Sequence, residues 1–227
     1  MNTSSTKPII IYGNGHIAKM LYHFIKVEHD VVCFTVDKHC IDDHACESLP
    51  VIPFSDITQD FPAARFDMLI AVGFSDMNNL RERKYLEATE KGYQLINYIH
   101  PSVVLHDNVT LGHNNIILDH ASIHPYTTLG NGNFISSNTN LGHGCTLGNF
   151  CWINAGVSVG GETTLGNKCF YGMNASISNG LNIADESFIG ANTFITHNTL
   201  EKEVYLSDSG KKFRLDSEHF LKFSAVL

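Results

Sequence analysis

The sequence predicts two architectures in one chain: a Rossmann-like α/β unit at the N-terminus, then an all-β left-handed parallel β-helix closed by a short C-terminal cap. Three observations carry this expectation. An aliphatic residue recurs at every sixth position from Ile99 to Ile195. Strand-like and helix-like segments alternate before that, with a Gly-x-Gly-x-x-Ala turn at residues 13–18. After Ile195 the period stops. The divisions that follow are 1–97, 98–200 and 201–227.

Pro8-Ile9-Ile10-Ile11-Tyr12 reads as a buried strand, and the glycine turn leads into an apolar helix through Ile25. Val31 to Val36 is a second strand ending at Asp37, and Met68 to Val72 a third ending at Gly73. The charged stretch Arg81 to Lys91 is helical and stopped by Gly92, and Tyr93 to Asn97 returns to the sheet. Strand and helix in alternation imply a parallel sheet. Glycines at a strand–helix turn let backbone approach a phosphate, and the helix N-terminus offers free N–H groups. Fewer than 100 residues hold only half of a doubly wound sheet, so a nucleotide-sugar handle fits the space better than a nicotinamide dehydrogenase.

The repeat runs Ile99, Leu105, Leu111, Ile117, Ile123 and onward to Ile195, with Tyr171 the one position that is not Leu, Ile or Val. Glycine often follows the aliphatic, as at Gly130, Gly142 and Gly160, and a small residue stands two before it, as at Thr139, Cys145, Cys151 and Cys169. This is the hexapeptide signature of a parallel β-helix, three units closing one 18-residue coil. Gly or Asn at the corners is expected to accommodate positive φ. Asn131, Asn149, Asn167 and Asp185 should form a ladder, and His106 should stack on His124. In the tail, Val204-Tyr205-Leu206 reads as a strand, Ser209-Gly210 as a turn and Ser217 as the N-cap of a short helix covering the open end of the prism.

Composition narrows function. Hydrophobic residues are 43% and charged residues 17%, as in a globular chain, and the net charge of −8 argues against nucleic-acid binding. The polar start, Met1 to Lys7, and the lack of a long apolar run imply a cytoplasmic protein without a membrane contact. No CxxC pair occurs among the six cysteines. Cys145, Cys151 and Cys169 read as small buried hydrophobes, Cys33 as sheet core, and Cys40 and Cys46 as loop residues.

The Gly13-to-Ala18 turn, His100-Pro101 at the junction, and the segment Asn138-Thr139-Asn140-Leu141-Gly142-His143-Gly144-Cys145 together resemble sugar O-acyltransferases of the sialic-acid O-acetyltransferase type. The bacillosamine and perosamine N-acetyltransferases are close relatives of that family. The resemblance spans about residues 8–197. It implies a homotrimer that uses acetyl-CoA as co-substrate, with active sites between neighbouring β-helices and no metal. It implies His143 as general base. It places the nucleotide sugar on Gly13, Asn14, Gly15, Asp37, Lys38 and Gly73, and coenzyme A along Trp152, Gly161, Met173 and Ala191. Two departures stand out. The family usually carries an acidic residue directly after the histidine, where this chain has Gly144, and a second family histidine falls at Trp152.

The residues support the same chemistry on their own terms. Acyl transfer needs a base of near-neutral pKa, a thioester held close, and donors for the developing oxyanion. His143 stands on a turn two residues past an inward aliphatic, within reach of substrate, and backbone N–H groups at Gly160-Gly161 can meet an oxyanion. Zinc hydration on a β-helix needs a tight histidine cluster, which the sequence does not show. The expected reaction is acetylation of the amine of a nucleotide-linked amino sugar in surface-glycan precursor synthesis. Acetylation of a sialic acid or other sugar hydroxyl, and a non-catalytic nucleotide-sugar scaffold, remain open alternatives.

Overall fold

The structure, a computed structural model, describes residues 7–224. The polar start Met1–Thr6 lies outside them.

The first strand, β1 (Ile9–Tyr12), is wholly apolar and buried, as an inner strand of a parallel sheet must be. It is followed by α1 (His16–Ile25), β2 (Val31–Val36), the short β3 (Ala45–Cys46), β4 (Leu49–Pro53), the one-turn α2 (Ile57–Asp60), β5 (Asp67–Ile70) and α3 (Asn79–Glu90). The sheet order is β3-β4-β2-β1-β5, parallel throughout except for the β3–β4 hairpin. β2 and β5 flank β1, so the chain leaves β1 in one direction along the sheet and later returns on its other side. Leu95 returns as a single parallel bridge to Met68.

One expectation changes, and one strand was not foreseen. Cys46 is buried in β3 rather than in a loop. Strand β4 was hidden because Pro50 and Pro53 suggest irregular chain; it accepts Pro53 at its end, where Val36 pairs with it.

From Tyr98 the chain winds into seventeen two-residue strands, β6 (Tyr98–Ile99) to β22 (Phe194–Ile195), arranged as three parallel sheets. The coil is a left-handed β-helix. Pairing is strictly i to i+18, as in Ile123 with Leu141 and Leu141 with Val159. The sixfold aliphatics fill the prism together with Ala121, Cys145, Cys151, Val157, Cys169 and Ala175. Tyr171 lies in the same core, fully buried. Its ring fits the prism, with its hydroxyl beside the Cys169 thiol.

The corners are left-handed at every sixth residue from Asn108 to Asn192, including His120, Tyr126, Phe150, Glu162 and Lys168. That position is three past the aliphatic, not the glycine directly after it. The glycine after it serves close approach instead: a β-carbon on Gly130 would fall 2.7 Å from the Gly148 carbonyl oxygen of the next coil. The asparagine ladder forms as expected, with Asn131 N–H donating to Asn149 Oδ1, Asn149 N–H to Asn167 Oδ1, and Asn167 N–H to Asp185 Oδ1, each at 2.8 Å.

One face of the prism, formed by the strands stacked on β6, carries the N-terminal sheet. Its outward residues Tyr98, Ile116, Phe134 and Trp152 share a core with Ile9, Ile11, Leu21, Phe34 and Leu69. Asn114 pairs with the β5 edge: it accepts from Ile70 N–H at 2.8 Å and donates back to Ile70 O. Beyond β22, strand β23 (Val204–Tyr205) extends the same face by pairing with Phe188–Ile189. Thr199 is buried on the last coil, donating or accepting at Ser187 Oγ. Thr199 and β23 thus add a partial turn to the last coil. The last helix, α4 (Ser217–Ser224), is exposed along its length and covers nothing in one chain. Ser217 is its first residue rather than its cap; the Asp216 carboxylate accepts from His219 N–H at 2.9 Å.

Candidate active site

The crevice at the carboxyl ends of β1, β2 and β5 measures about 520 Å³ and is lined by Gly13, Asn14, Gly15, Asp37, Gly73, Leu80 and Arg83, among others. Its place follows from the strand order. Successive connections leave β1 on opposite sides, and loops that part there open a cleft above the sheet. Gly13 has φ of +126°, and a β-carbon on it would fall 2.7 Å from Ala71 O, so no other residue fits the turn. Gly15 and Gly73 face open space. Gly15 begins α1 without any side-chain cap. The first-turn N–H groups of α1 are therefore left for an anion.

The other expected residues of this crevice divide. Asn14 spends its side-chain amide on Cys40 O at 3.0 Å, tying the turn to the loop after β2. Asp37 lines the crevice and is anchored by Lys84, whose Nζ lies 2.8 Å from its Oδ1. Burial alone would raise the Asp37 carboxyl; the Lys84 hydrogen bond and charge outweigh it and hold the group below the usual carboxylate range. Lys38 is exposed and does not line the crevice, while its neighbours Asp37 and His39 do.

Sequence reasoning missed the cations of α3. Arg81, Lys84 and Ala88 are its buried residues, at helical spacing on one side. Their i, i+3, i+7 spacing is that of one helix face, but two of the three are charged, and charged residues do not mark a face as buried. Lys84 also bridges Glu87 at 2.7 Å. Arg83 is exposed at the crevice.

His143 lies on the corner between the second and third faces of the prism, the edge opposite the face that carries the N-terminal sheet. It is exposed, and its ring lies over Gly161 of the next coil: a β-carbon on Gly161 would fall 2.5 Å from His143 Cε1 and 2.9 Å from Nε2. Gly160 N–H is used by Ile177 O at 2.8 Å, whereas Gly161 N–H has no acceptor among the described residues. An imidazole and an amide N–H without an acceptor among the described residues thus stand together on one edge.

The expected coenzyme A residues are not brought together. Gly161 belongs to the His143 edge, while Met173 and Ala191 stack on the next edge, across the second face. Met173 is well exposed there. Trp152 is corrected outright. It is 4% exposed, stacked on Phe134 at 3.9 Å between ring centres, covered by Phe74 at 5.5 Å, and hydrogen-bonded from Nε1 to Asn154 Oδ1. Its ring is spent in the joint between sheet and prism, with no face left for a pantetheine. The stack of His106 on His124 forms as expected, 5.2 Å between centres.

No protein-family model matches the chain, and no curated protein matches it in sequence. Solved structures do match in fold. The acetyltransferase domain of PglB from Neisseria gonorrhoeae is 19% identical over 88% of this chain and 96% of that one, with a TM-score of 0.78. The same domain in complex with acetyl coenzyme A gives 18%, 84%, 93% and 0.71. PerB from Caulobacter crescentus, in complex with CoA and GDP-perosamine, gives 22%, 88%, 94% and 0.65. The fold is theirs. At these identities the shared architecture is what the likeness establishes, over nearly the full length of each chain.

Proposed function

We propose that this chain is an acetyl-CoA-dependent sugar N-acetyltransferase, transferring an acetyl group to the amine of a nucleotide-linked amino sugar, with residues 1–97 holding the nucleotide sugar, 98–200 performing the transfer and 201–227 forming the tail. The observation that carries it is the combination of an anion-ready crevice at the β1–β5 switch point with His143 over the unpaired Gly161 amide. Structures of the same two-part fold contain acetyl coenzyme A in one case, and CoA with GDP-perosamine in another.

In this reading the neutral amine attacks the thioester carbonyl carbon. The developing oxyanion accepts from Gly161 N–H, and the amine proton passes to His143. The C–S bond then breaks, and the thiolate of CoA takes a proton to leave as the thiol. No acyl-enzyme forms. The crevice belongs to the first face of the prism and His143 to the opposite edge, so a sugar held by one chain meets the base of another. This supports a homotrimer whose active sites lie between copies, with Met173 and Ala191 of one edge and Gly161 of the other bounding the coenzyme groove from different chains. No helix among the described residues is long and apolar enough to cross a membrane.

The test is thiol release from acetyl-CoA against UDP-, dTDP- and GDP-linked amino sugars, with the matching hydroxy sugars alongside. Turnover with one amino sugar supports the proposal. Turnover with hydroxy sugars only moves the reaction to O-acetylation, and binding without thiol release leaves a nucleotide-sugar scaffold.

A further inference from the structure

An imidazole that accepts a proton becomes a cation, and a carboxylate held beside it favours that form and fixes the ring. His143 is followed by Gly144, which has no side chain to provide one. The same corner on the preceding coil offers His124, Pro125, Tyr126 and Thr127, and on the following coil Gly160, Gly161, Glu162 and Thr163. Asp107, two coils earlier in the His143 column, is separated from it by Pro125. Glu162 is the one carboxylate on the two adjoining coils at this corner.

Three features place it. Glu162 N–H donates to His143 O at 2.7 Å. Its Cγ lies 3.6 Å from where a β-carbon on Gly144 would stand, so its methylenes cover the space that Gly144 leaves empty. Its backbone is left-handed at φ of +58°, stacked on Gly144 at +66°, so the two residues share one column. Glu162 is exposed and joins no ion pair among the described residues. Glu162 thus directly follows Gly161, the residue over which the His143 ring lies.

We propose that Glu162 is the positioning residue for His143, supplying from the next coil the carboxylate that Gly144 cannot. The proposal rests on reading His143 as the base of acyl transfer. The experiment has two arms on the full chain. In the first, the His143 imidazole is titrated by NMR in wild type and Glu162→Gln, with Glu186→Gln as control. In the second, kcat and KM for thiol release are measured across pH for wild type, Glu162→Gln, Glu162→Asp and the Gly144→Glu/Glu162→Gln double variant.

Loss of the carboxylate should lower the His143 midpoint, with the control unmoved. It should reduce kcat by roughly tenfold or more while KM changes little, and shift the acid limb of the pH profile with the midpoint. Glu162→Asp should retain part of the rate, and the double variant should recover most of it. A Glu162→Gln rate within twofold of wild type overturns the proposal. If no sugar turns over at all, the reading of function fails, and the midpoint alone decides the pairing: a fall sustains it and an unmoved midpoint ends it.

Discussion

The guanidinium of Arg81, on helix α3, sits 5.3 Å from the centre of the Trp152 ring on the first face of the β-helix. From there it donates to Gly132 O at 2.8 Å, Phe150 O at 2.7 Å and Cys151 O at 3.0 Å on the prism side. It donates more weakly to Val72 O and Gly73 O, both at 3.4 Å, in the loop after β5. Burial pushes this group down to about 9, which leaves it charged at neutral pH. One cation therefore joins the crevice loop to three carbonyls of two coils. Around it, Lys168 binds Glu82 at 2.6 Å and Asn79 Oδ1 at 3.0 Å.

Arg81→Met should cost about 3 kcal/mol or more, because several buried carbonyls lose a charged donor at once. Arg81→Lys should do little better, since an ammonium cannot span acceptors set out for a planar fork. Urea unfolding followed by Trp152 fluorescence measures both; a loss below about 1 kcal/mol would mean that water replaces the guanidinium without difficulty.

Two glycine substitutions should behave oppositely. In Gly161→Ala the new methyl meets the end of the His143 side chain, which can swing away. Stability should hold while kcat falls by about tenfold or more, as expected for a displaced base. In Gly130→Ala the methyl meets the Gly148 backbone at 2.7 Å, which cannot move without opening the coil. That variant should lose about 1–3 kcal/mol, read from its urea midpoint.

The Asp37–Lys84 pair gives a pH signature. The folded Asp37 carboxyl lies below its unfolded value, so its contribution is complete above about pH 4 and is lost as pH falls through the lower folded value. Between about pH 5 and pH 2.5, wild type should lose more of its urea midpoint than Asp37→Asn. Parallel curves would show that the pair adds nothing to stability.

If the active site lies between copies, two dead variants should rescue one another. Gly15→Glu places a negative charge in the open mouth of the crevice, where there is room for the side chain, and His143→Ala removes the base. Co-expressed, they should assemble some sites with both halves intact, recovering roughly a quarter of wild-type turnover under random mixing. Recovery absent from mixed oligomers would place crevice and base within one chain.

Most of the β-helix was legible because its period is a packing rule: an inward side chain every six residues and a stack every 18 leave a repeating imprint. The Asn131–Asn149–Asn167 ladder and the three buried cysteines of the prism were read from that imprint alone. The position of the left-handed corner was not, because its occupants include Tyr126, Phe150 and Glu162, residues that rarely accept positive φ. From Gly132 onward the corner N–H finds a carbonyl of the preceding coil, as Phe150 N–H finds Asn131 O and Glu162 N–H finds His143 O. Trp152 was misplaced, and the role of Arg81 missed, for a related reason. The hexapeptide rule says which residues point in, but not what the outward ones meet, and the joint with the N-terminal sheet is a contact between distant segments. The glycine turn of the crevice was legible as local geometry; its anchor Lys84, 47 residues from Asp37, was not.

The rate of CoA thiol release by His143→Ala, compared with wild type on the amino sugar that the wild type accepts, is the most direct test of the chemistry proposed. With the base gone and the Gly161 amide still in place, kcat should fall by about a hundredfold or more while the nucleotide sugar still binds. A variant that keeps most of the wild-type rate would contradict the assignment, leaving the amine to lose its proton to water or to another group.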